Sequence, residues 1–118
     1  MLDVSRFAAA AVFLTSGTLH FARPELFRAI VPPGLPNPGA LVAISGAAEL
    51  AGALGLWPPA TRRWAAAGLV GLLVAVFPAN VYMAVDHERF ARVAPAWLLF
   101  ARLPLQAVLV VWIWRLRN

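Results

Sequence analysis

The chain contains no cysteine and no lysine, and few of its residues are charged. Without cysteine it can form no disulfide, thiolate metal site or dithiol relay of its own. All ten basic residues are arginines, and with five acidic residues they give a net charge of +5. They are scattered at the ends of apolar runs, which is typical of membrane orientation and argues against a nucleic-acid partner. Hydrophobic residues make up 62% of the chain and charged residues 13%. A soluble domain of this size cannot bury that much apolar surface, so the composition predicts a protein surrounded by the lipid bilayer.

Four long apolar runs predict four helices, over about residues 5–21, 39–57, 64–85 and 96–114. Each run is near the ~20 residues that a helix needs to cross the hydrocarbon core. The connections are short, so consecutive helices are expected to be antiparallel neighbours. We therefore predict a single domain, residues 1–118, that is an all-α integral membrane protein with an up-down-up-down bundle of four transmembrane helices. A cleaved signal peptide over the first run is less favoured, because its hydroxyl and histidine side chains interrupt the small-residue cleavage pattern.

The longest connection is predicted to hold a short interfacial helix over about residues 24–30. Pro24 suits the first position of a helix, and Leu26, Phe27 and Ile30 would share one side of it.

The distribution of arginines predicts the orientation in the membrane. Lysine and arginine are enriched in cytoplasmic segments, and five arginines fall on the side of the two termini against four on the other side. We therefore expect a multi-pass protein with both termini in the cytoplasm.

Glu49 and Arg102 lie inside the second and fourth apolar runs. An ionised side chain near the bilayer centre costs roughly 3 kcal/mol on insertion scales, so it normally faces the protein interior and finds a partner. At a rise of ~1.5 Å per residue, Glu49 would lie about 15 Å and Arg102 about 10 Å below the same, outer surface. We therefore predict a buried Glu49–Arg102 ion pair, in which the guanidinium binds the carboxylate through two hydrogen bonds.

Further polar side chains are predicted in the same outer half of the membrane. These are His20, Ser16, Ser45, Asn80 and Gln106. Pro78 and Pro104 fall inside the third and fourth predicted helices, where each should kink its helix and release a backbone carbonyl. Free carbonyls at membrane depth are tolerated where they face protein or a wet cavity, so we expect a polar pocket that opens outward.

Two interpretations of this polar cluster remain open from the residues alone. The Glu49–Arg102 pair could be purely structural and only fix how the helices pack. Alternatively the cluster could handle a ligand or a proton, because intramembrane charges usually serve function. No catalytic residue can be named, and no metal site is predicted, because the acidic and histidine residues 86–88 are consecutive and lack further ligands.

Four segments in chain order resemble the DoxX family of small bacterial membrane proteins. They are "SGTLHFARPELFRAIVPPGLPNP", "SGAAELAGALGLWPPATRRWAA", "FPANVYMA" and "RLPLQ", and together they extend over nearly the whole chain. The recurring elements of these segments fall on His20, Glu49, Asn80, Arg102 and Gln106.

This resemblance implies a four-helix bundle in the bacterial cytoplasmic (inner) membrane. The family is named after a subunit of a thiosulfate:quinone oxidoreductase, and other relatives are linked to redox complexes or to the assembly of membrane proteins. We therefore expect an accessory subunit of a membrane redox system that binds a quinone or another small amphiphile in the pocket. No electron carrier is evident in the chain, so a redox role would need a partner.

Two other functions remain open. One is a non-catalytic assembly or interaction protein that packs against another membrane protein or a second copy of itself. The other is a small proton-coupled transporter. It is less favoured, because the chain shows no inverted repeat.

Overall fold

The computed structural model describes residues 2–32, 34–91 and 94–118, which form five α-helices. The helices are α1 (Leu2–Ala22), α2 (Pro24–Arg28), α3 (Pro38–Gly55), α4 (Pro59–Val85) and α5 (Ala96–Arg115). The described residues contain no β-strand, and the predicted all-α class is confirmed.

Three of these helices are long and apolar enough to cross a membrane. They are α3, α4 and α5, with 18, 27 and 20 residues. Helix α1 has 21 residues, but it carries Asp3, Arg6 and His20, whose polar side chains lower its hydropathy. The three apolar helices indicate a membrane protein, as predicted from composition.

Prolines start three of the five helices. Pro24, Pro38 and Pro59 each occupy the first turn, where the missing N–H costs no hydrogen bond and the fixed φ angle suits the helix. Asn37 adds a side-chain cap to α3, because its Oδ1 accepts a hydrogen bond from the backbone N–H of Ala40 at 3.3 Å. Helix α4 thus begins at Pro59, and not near residue 64 as predicted.

Arginine side chains donate hydrogen bonds to backbone carbonyls at the ends of two helices. Arg62 donates to the carbonyl oxygens of Leu56 (2.8 Å) and Trp57 (2.7 Å), just past the end of α3. Arg6, which is buried, donates from Nε to the carbonyl oxygen of Leu116 at 3.4 Å, just past α5. Such contacts satisfy carbonyls that have no partner within the helix, so two of the arginines counted for orientation also stabilise helix ends.

The helices pack in the order α1–α3–α4–α5, with α2 against α1 and α3. One apolar core includes Phe13, Leu69 and Ile113 and lies at the end of the molecule that holds both termini. A second core includes Met83 and Leu99 and lies where α4 ends and α5 begins. Residues 72–80 of α4 fall between the two cores, and they border the cavity described below.

Helices α1 and α3 approach closely at two glycines. A Cβ atom added at Gly46 would lie 2.7 Å from the Cβ of His20, and one added at Gly17 would lie 3.0 Å from the carbonyl oxygen of Gly46. Both distances are too short for a real side-chain contact, so the two glycines permit this backbone separation. The close approach places His20 directly against α3.

Candidate functional site

A cavity of about 360 Å³ lies between the four long helices. Helix α2 and the segment after it contribute Phe27, Ile30, Val31 and Leu35 to its wall. All seven polar residues predicted to cluster line this cavity, together with one of the two prolines. The seven are Ser16, His20, Ser45, Glu49, Asn80, Arg102 and Gln106. Their common location follows from the structure, and their role in binding a ligand stays a prediction.

Glu49 lies beside two residues of α1. Its Oε2 is 3.4 Å from Nδ1 of His20, and the Ser16 side chain is within reach of the carboxylate. Nδ1 of His20 donates its hydrogen bond elsewhere, to the carbonyl oxygen of Ser16 at 2.7 Å. The side chains of His20 and Glu49 are only 9% and 14% exposed. The Oε2 atom of Glu49 is itself buried, and it accepts no hydrogen bond from any described residue.

The predicted Glu49–Arg102 ion pair does not form in the structure. No guanidinium nitrogen of Arg102 lies within salt-bridge distance of a carboxylate among the described residues. Instead its Nη1 donates to the sulfur of Met83 at 3.5 Å, a weak acceptor. The cause is the order of the helices, because α3 and α5 are not among the neighbouring pairs, whereas α1 packs directly on α3. The two residues line the same cavity from different helices.

Gln106 connects α5 to α4 through two hydrogen bonds. Its Nε2 donates to the carbonyl oxygen of Leu73, and its Oε1 accepts from Nδ2 of Asn80. Gln106 is buried, so these bonds satisfy polar atoms that would otherwise lie unpaired in an apolar environment. Both ends of the amide are therefore engaged in helix packing, although the residue lines the cavity.

The two prolines predicted to kink helices differ in position relative to the cavity. Both lie inside continuous helices, Pro78 in α4 and Pro104 in α5. Pro78 lines the cavity, whereas Pro104 is exposed and is not part of its wall. Pro78 has no N–H, so the carbonyl of Val74 loses its usual partner in the helix. Gln106 donates to the carbonyl of Leu73, the residue just before Val74. The kinks themselves stay predictions.

Phe27 of α2 covers the histidine side of the cavity. Its ring stacks on the His20 imidazole with centroids 3.8 Å apart and planes inclined by 21°. Leu26 was predicted to share the same side of α2, but it is exposed, because the five-residue helix turns it away from the bundle. The apolar side of α2 indicated contact with something apolar, but it did not show that Phe27 would meet His20.

The remaining wall is apolar and separates the two charged residues. It includes Val12, Val42, Leu72, Val76 and Leu105. Pockets that bind small molecules are typically about 300–1,000 Å³ and mostly apolar, with a few polar groups that orient the ligand. The cavity has this character at the lower end of that range, so it suits a small molecule with an apolar body and a polar end.

Comparison with known proteins gives a family but no activity. A family model described as a domain of unknown function (DUF8561) matches residues 9–117. No curated protein matches the chain. No solved structure matches it either.

Proposed function

The chain belongs to the DUF8561 family, which carries no assigned function, and we propose a function from the site itself. The protein is a DoxX-like bundle of four transmembrane helices whose cavity binds a quinone or another small amphiphile, as an accessory subunit of a membrane redox system. It resides in the bacterial inner membrane with both termini in the cytoplasm. Helix α1 is the fourth spanning helix on this proposal. Its 21 residues are long enough to cross the bilayer, and it packs against α3, which can span the membrane itself.

One observation carries the proposal: Glu49 and Arg102 line the same apolar cavity without contacting each other. A charged pair that only stabilises a bundle needs direct contact, because mutual attraction has to offset the loss of hydration of both groups. Charges left apart on a cavity wall can instead be satisfied by a bound molecule. The apolar residues between them would hold its hydrocarbon part.

A quinone fits this arrangement in size and chemistry. A carbonyl oxygen of the quinone would accept a hydrogen bond from Arg102, whose hydrogen-bond partner among the described residues is the Met83 sulfur, a weak acceptor. In the reduced form, a hydroxyl group could donate to Glu49. Since the chain has no evident electron carrier, electrons would come from a partner subunit or a diffusing donor.

The test is mass spectrometry of small molecules that co-purify with the protein in native membrane patches. Wild type is compared with the Glu49→Gln/Arg102→Gln double variant, which keeps the side-chain size at Glu49 and removes both cavity charges. The matched control is Glu25→Gln/Arg28→Gln, which removes one acid and one arginine from exposed positions on α2. At Glu25 the hydrogen bond from Arg23 lowers the pKa of the carboxyl group, so this control also removes an ionised acid.

We expect one quinone or other amphiphile to be enriched with wild type and with the control, but not with the cavity variant. Circular dichroism and gel filtration first establish that all three proteins are folded. If wild type and cavity variant carry the same lipids in the same proportions, the cavity is not a ligand site and the proposal fails.

A second candidate function, an interaction protein, is favoured by one surface of α4. Ala67, Gly68 and Gly71 are exposed there, and a Cβ atom at either glycine would meet no neighbouring atom of the described residues within 4 Å. Small residues at such spacing allow helices of neighbouring membrane proteins to approach closely. Gly71→Leu would block that approach. Loss of a co-purifying protein, or of a dimer seen by cross-linking in membranes, would support this function, and unchanged assembly would exclude this surface.

A further inference from the structure

The polar groups of the cavity also define the chemistry of its occupant. Glu49 lines the cavity on the α1–α3 side, and its buried Oε2 accepts no hydrogen bond from the described residues. Arg102 faces it from α5 with a thioether as its only partner there. Both groups therefore have unused hydrogen-bonding capacity directed at the same space. The amide groups of Asn80 and Gln106, in contrast, already bond to each other.

A hydroxyl group is the functional group that best fits Glu49. An ammonium group can only donate, so it leaves the O–H of a protonated carboxylic acid without an acceptor. A hydroxyl group donates to a carboxylate and accepts from a carboxylic acid, so it suits the carboxyl group of Glu49 in either protonation state. His20 does not compete for this role, because its Nδ1 proton is directed at the carbonyl oxygen of Ser16.

A carboxylate or another acidic oxygen is the group that best fits Arg102. The planar guanidinium binds carboxylates through two parallel hydrogen bonds and is more weakly hydrated than an ammonium group. No acidic side chain among the described residues occupies this position. The sequence predicted that Glu49 would be the negatively charged partner of Arg102. The carboxylate of the bound molecule would take that place instead.

The volume limits the apolar part of the molecule. About 360 Å³ corresponds to about twelve water molecules at ~30 Å³ each, and one short hydrocarbon chain with its polar end has about that many heavy atoms. The cavity therefore suits a single-chain amphiphile better than a whole phospholipid.

We propose that the cavity recognises a single-chain hydroxy acid, whose hydroxyl group bonds to Glu49 and whose carboxylate bonds to Arg102. This inference rests on the proposed function, that the cavity binds an amphiphile, and it names the chemical class.

The experiment measures the binding of chain-matched probes to the purified protein in detergent, by displacement of a fluorescent fatty acid. The probes are decanoic acid, 1-decanol, 2-hydroxydecanoic acid and 3-hydroxydecanoic acid. The methyl ester of the better hydroxy acid tests whether the free carboxylate is recognised, because the ester has the same chain and hydroxyl group without the negative charge. The proteins are wild type, Glu49→Gln, Arg102→Gln and the two exposed controls Glu25→Gln and Arg28→Gln.

We expect wild type to bind one of the hydroxy acids on the order of ten- to a hundredfold more tightly than decanoic acid, as one added hydrogen bond to a charged group implies. Glu49→Gln should reduce that ratio, because a neutral amide makes a weaker bond with the hydroxyl group. Arg102→Gln should weaken the binding of all of the acids and leave the binding of 1-decanol unchanged. The two controls should behave like wild type.

Each alternative outcome has a separate meaning. If decanoic acid binds as tightly as both hydroxy acids, and its binding depends on Arg102, the amphiphile site exists and the hydroxy-acid inference is wrong. If no probe displaces the reporter from wild type, the proposed function fails and this inference fails with it. If the methyl ester binds as well as the free acid, the carboxylate is not recognised and the assignment to Arg102 is wrong. The probe series on wild type alone decides the hydroxyl question, even if a cavity variant does not fold.

Discussion

Replacement of Gly46 by alanine tests whether the close contact of α1 and α3 supports the site. The new Cβ atom would lie 2.7 Å from the Cβ of His20 and 2.9 Å from a ring carbon of Phe21. The Phe21 ring can move aside, but the Cβ of His20 is fixed to the backbone of α1, so the two helices must separate by several tenths of an ångström. Forcing an additional methyl group into a packed interface typically costs about 1–3 kcal/mol.

The matched control is Gly71→Ala on α4, where an added Cβ atom has no atom within 4 Å. Glycine inside a helix is less favourable than alanine by about 0.5–1 kcal/mol, and both substitutions gain this term. Their difference therefore isolates the packing contribution. We expect Gly46→Ala to be less stable than Gly71→Ala by about 1–3 kcal/mol, and Gly71→Ala to be at least as stable as wild type.

Stability is measured by reversible unfolding of the purified proteins in mixed micelles, with increasing sodium dodecyl sulfate and circular dichroism as the signal. A second readout is amphiphile binding, because separation of α1 from α3 moves His20 and Ser16 away from Glu49. Equal stability of the two alanine variants would show that α1 and α3 do not approach as the structure has them. The position of His20 beside Glu49 would then have to be abandoned as well.

Two further predictions concern polar contacts between helices and at a helix end. Asn80→Leu and Gln106→Leu should each lower the free energy of unfolding. The double variant should lose less than the sum of the two single losses, by a coupling energy of about 0.6 kcal/mol and at most about 1.7 kcal/mol. Additive losses would refute the hydrogen bond between the two side chains. Arg62→Gln should lower the free energy of unfolding by about 1 kcal/mol through loss of its bonds to the end of α3. Arg63→Gln next to it, on an exposed side chain, should change little, and equal effects of the two would contradict the capping role.

The sequence was sufficient to predict the four long helices to within about five residues at each end, whereas the depth of the polar residues in the membrane stays a prediction. Hydropathy runs of about 20 residues can only be helices in lipid, and the rise per residue is constant along a helix. For this reason Ser16, His20, Glu49, Asn80 and Arg102 could be assigned to one level of the structure before their contacts were known. They line one cavity in the structure, together with Ser45 and Gln106.

The partner of each polar group could not be predicted in the same way. Depth gives a position along the helix axis, but not which helices are neighbours and which are diagonal. Glu49 meets His20 because Gly17 and Gly46 bring α1 against α3, and nothing in the spacing of charges shows this. The role of Arg62 was missed for a similar reason, since residues 58–63 were predicted to be a turn, although α4 already begins at Pro59.

The separation of Glu49 from Arg102 changes what the two charges imply about function. Had they paired, each would satisfy the other, and the cavity would need no occupant for electrostatic reasons. Apart from each other, they leave a buried acceptor atom and a guanidinium with only a weak sulfur acceptor on the wall of one apolar cavity. Buried groups of this kind reduce stability unless something binds them, and evolution can retain that cost where it creates affinity for a ligand. It follows that neutralising both charges should abolish binding and raise the stability of the empty protein, whereas Glu49→Gln or Arg102→Gln alone would be strongly destabilising if the two residues formed a structural pair, because one charge would be left unpaired.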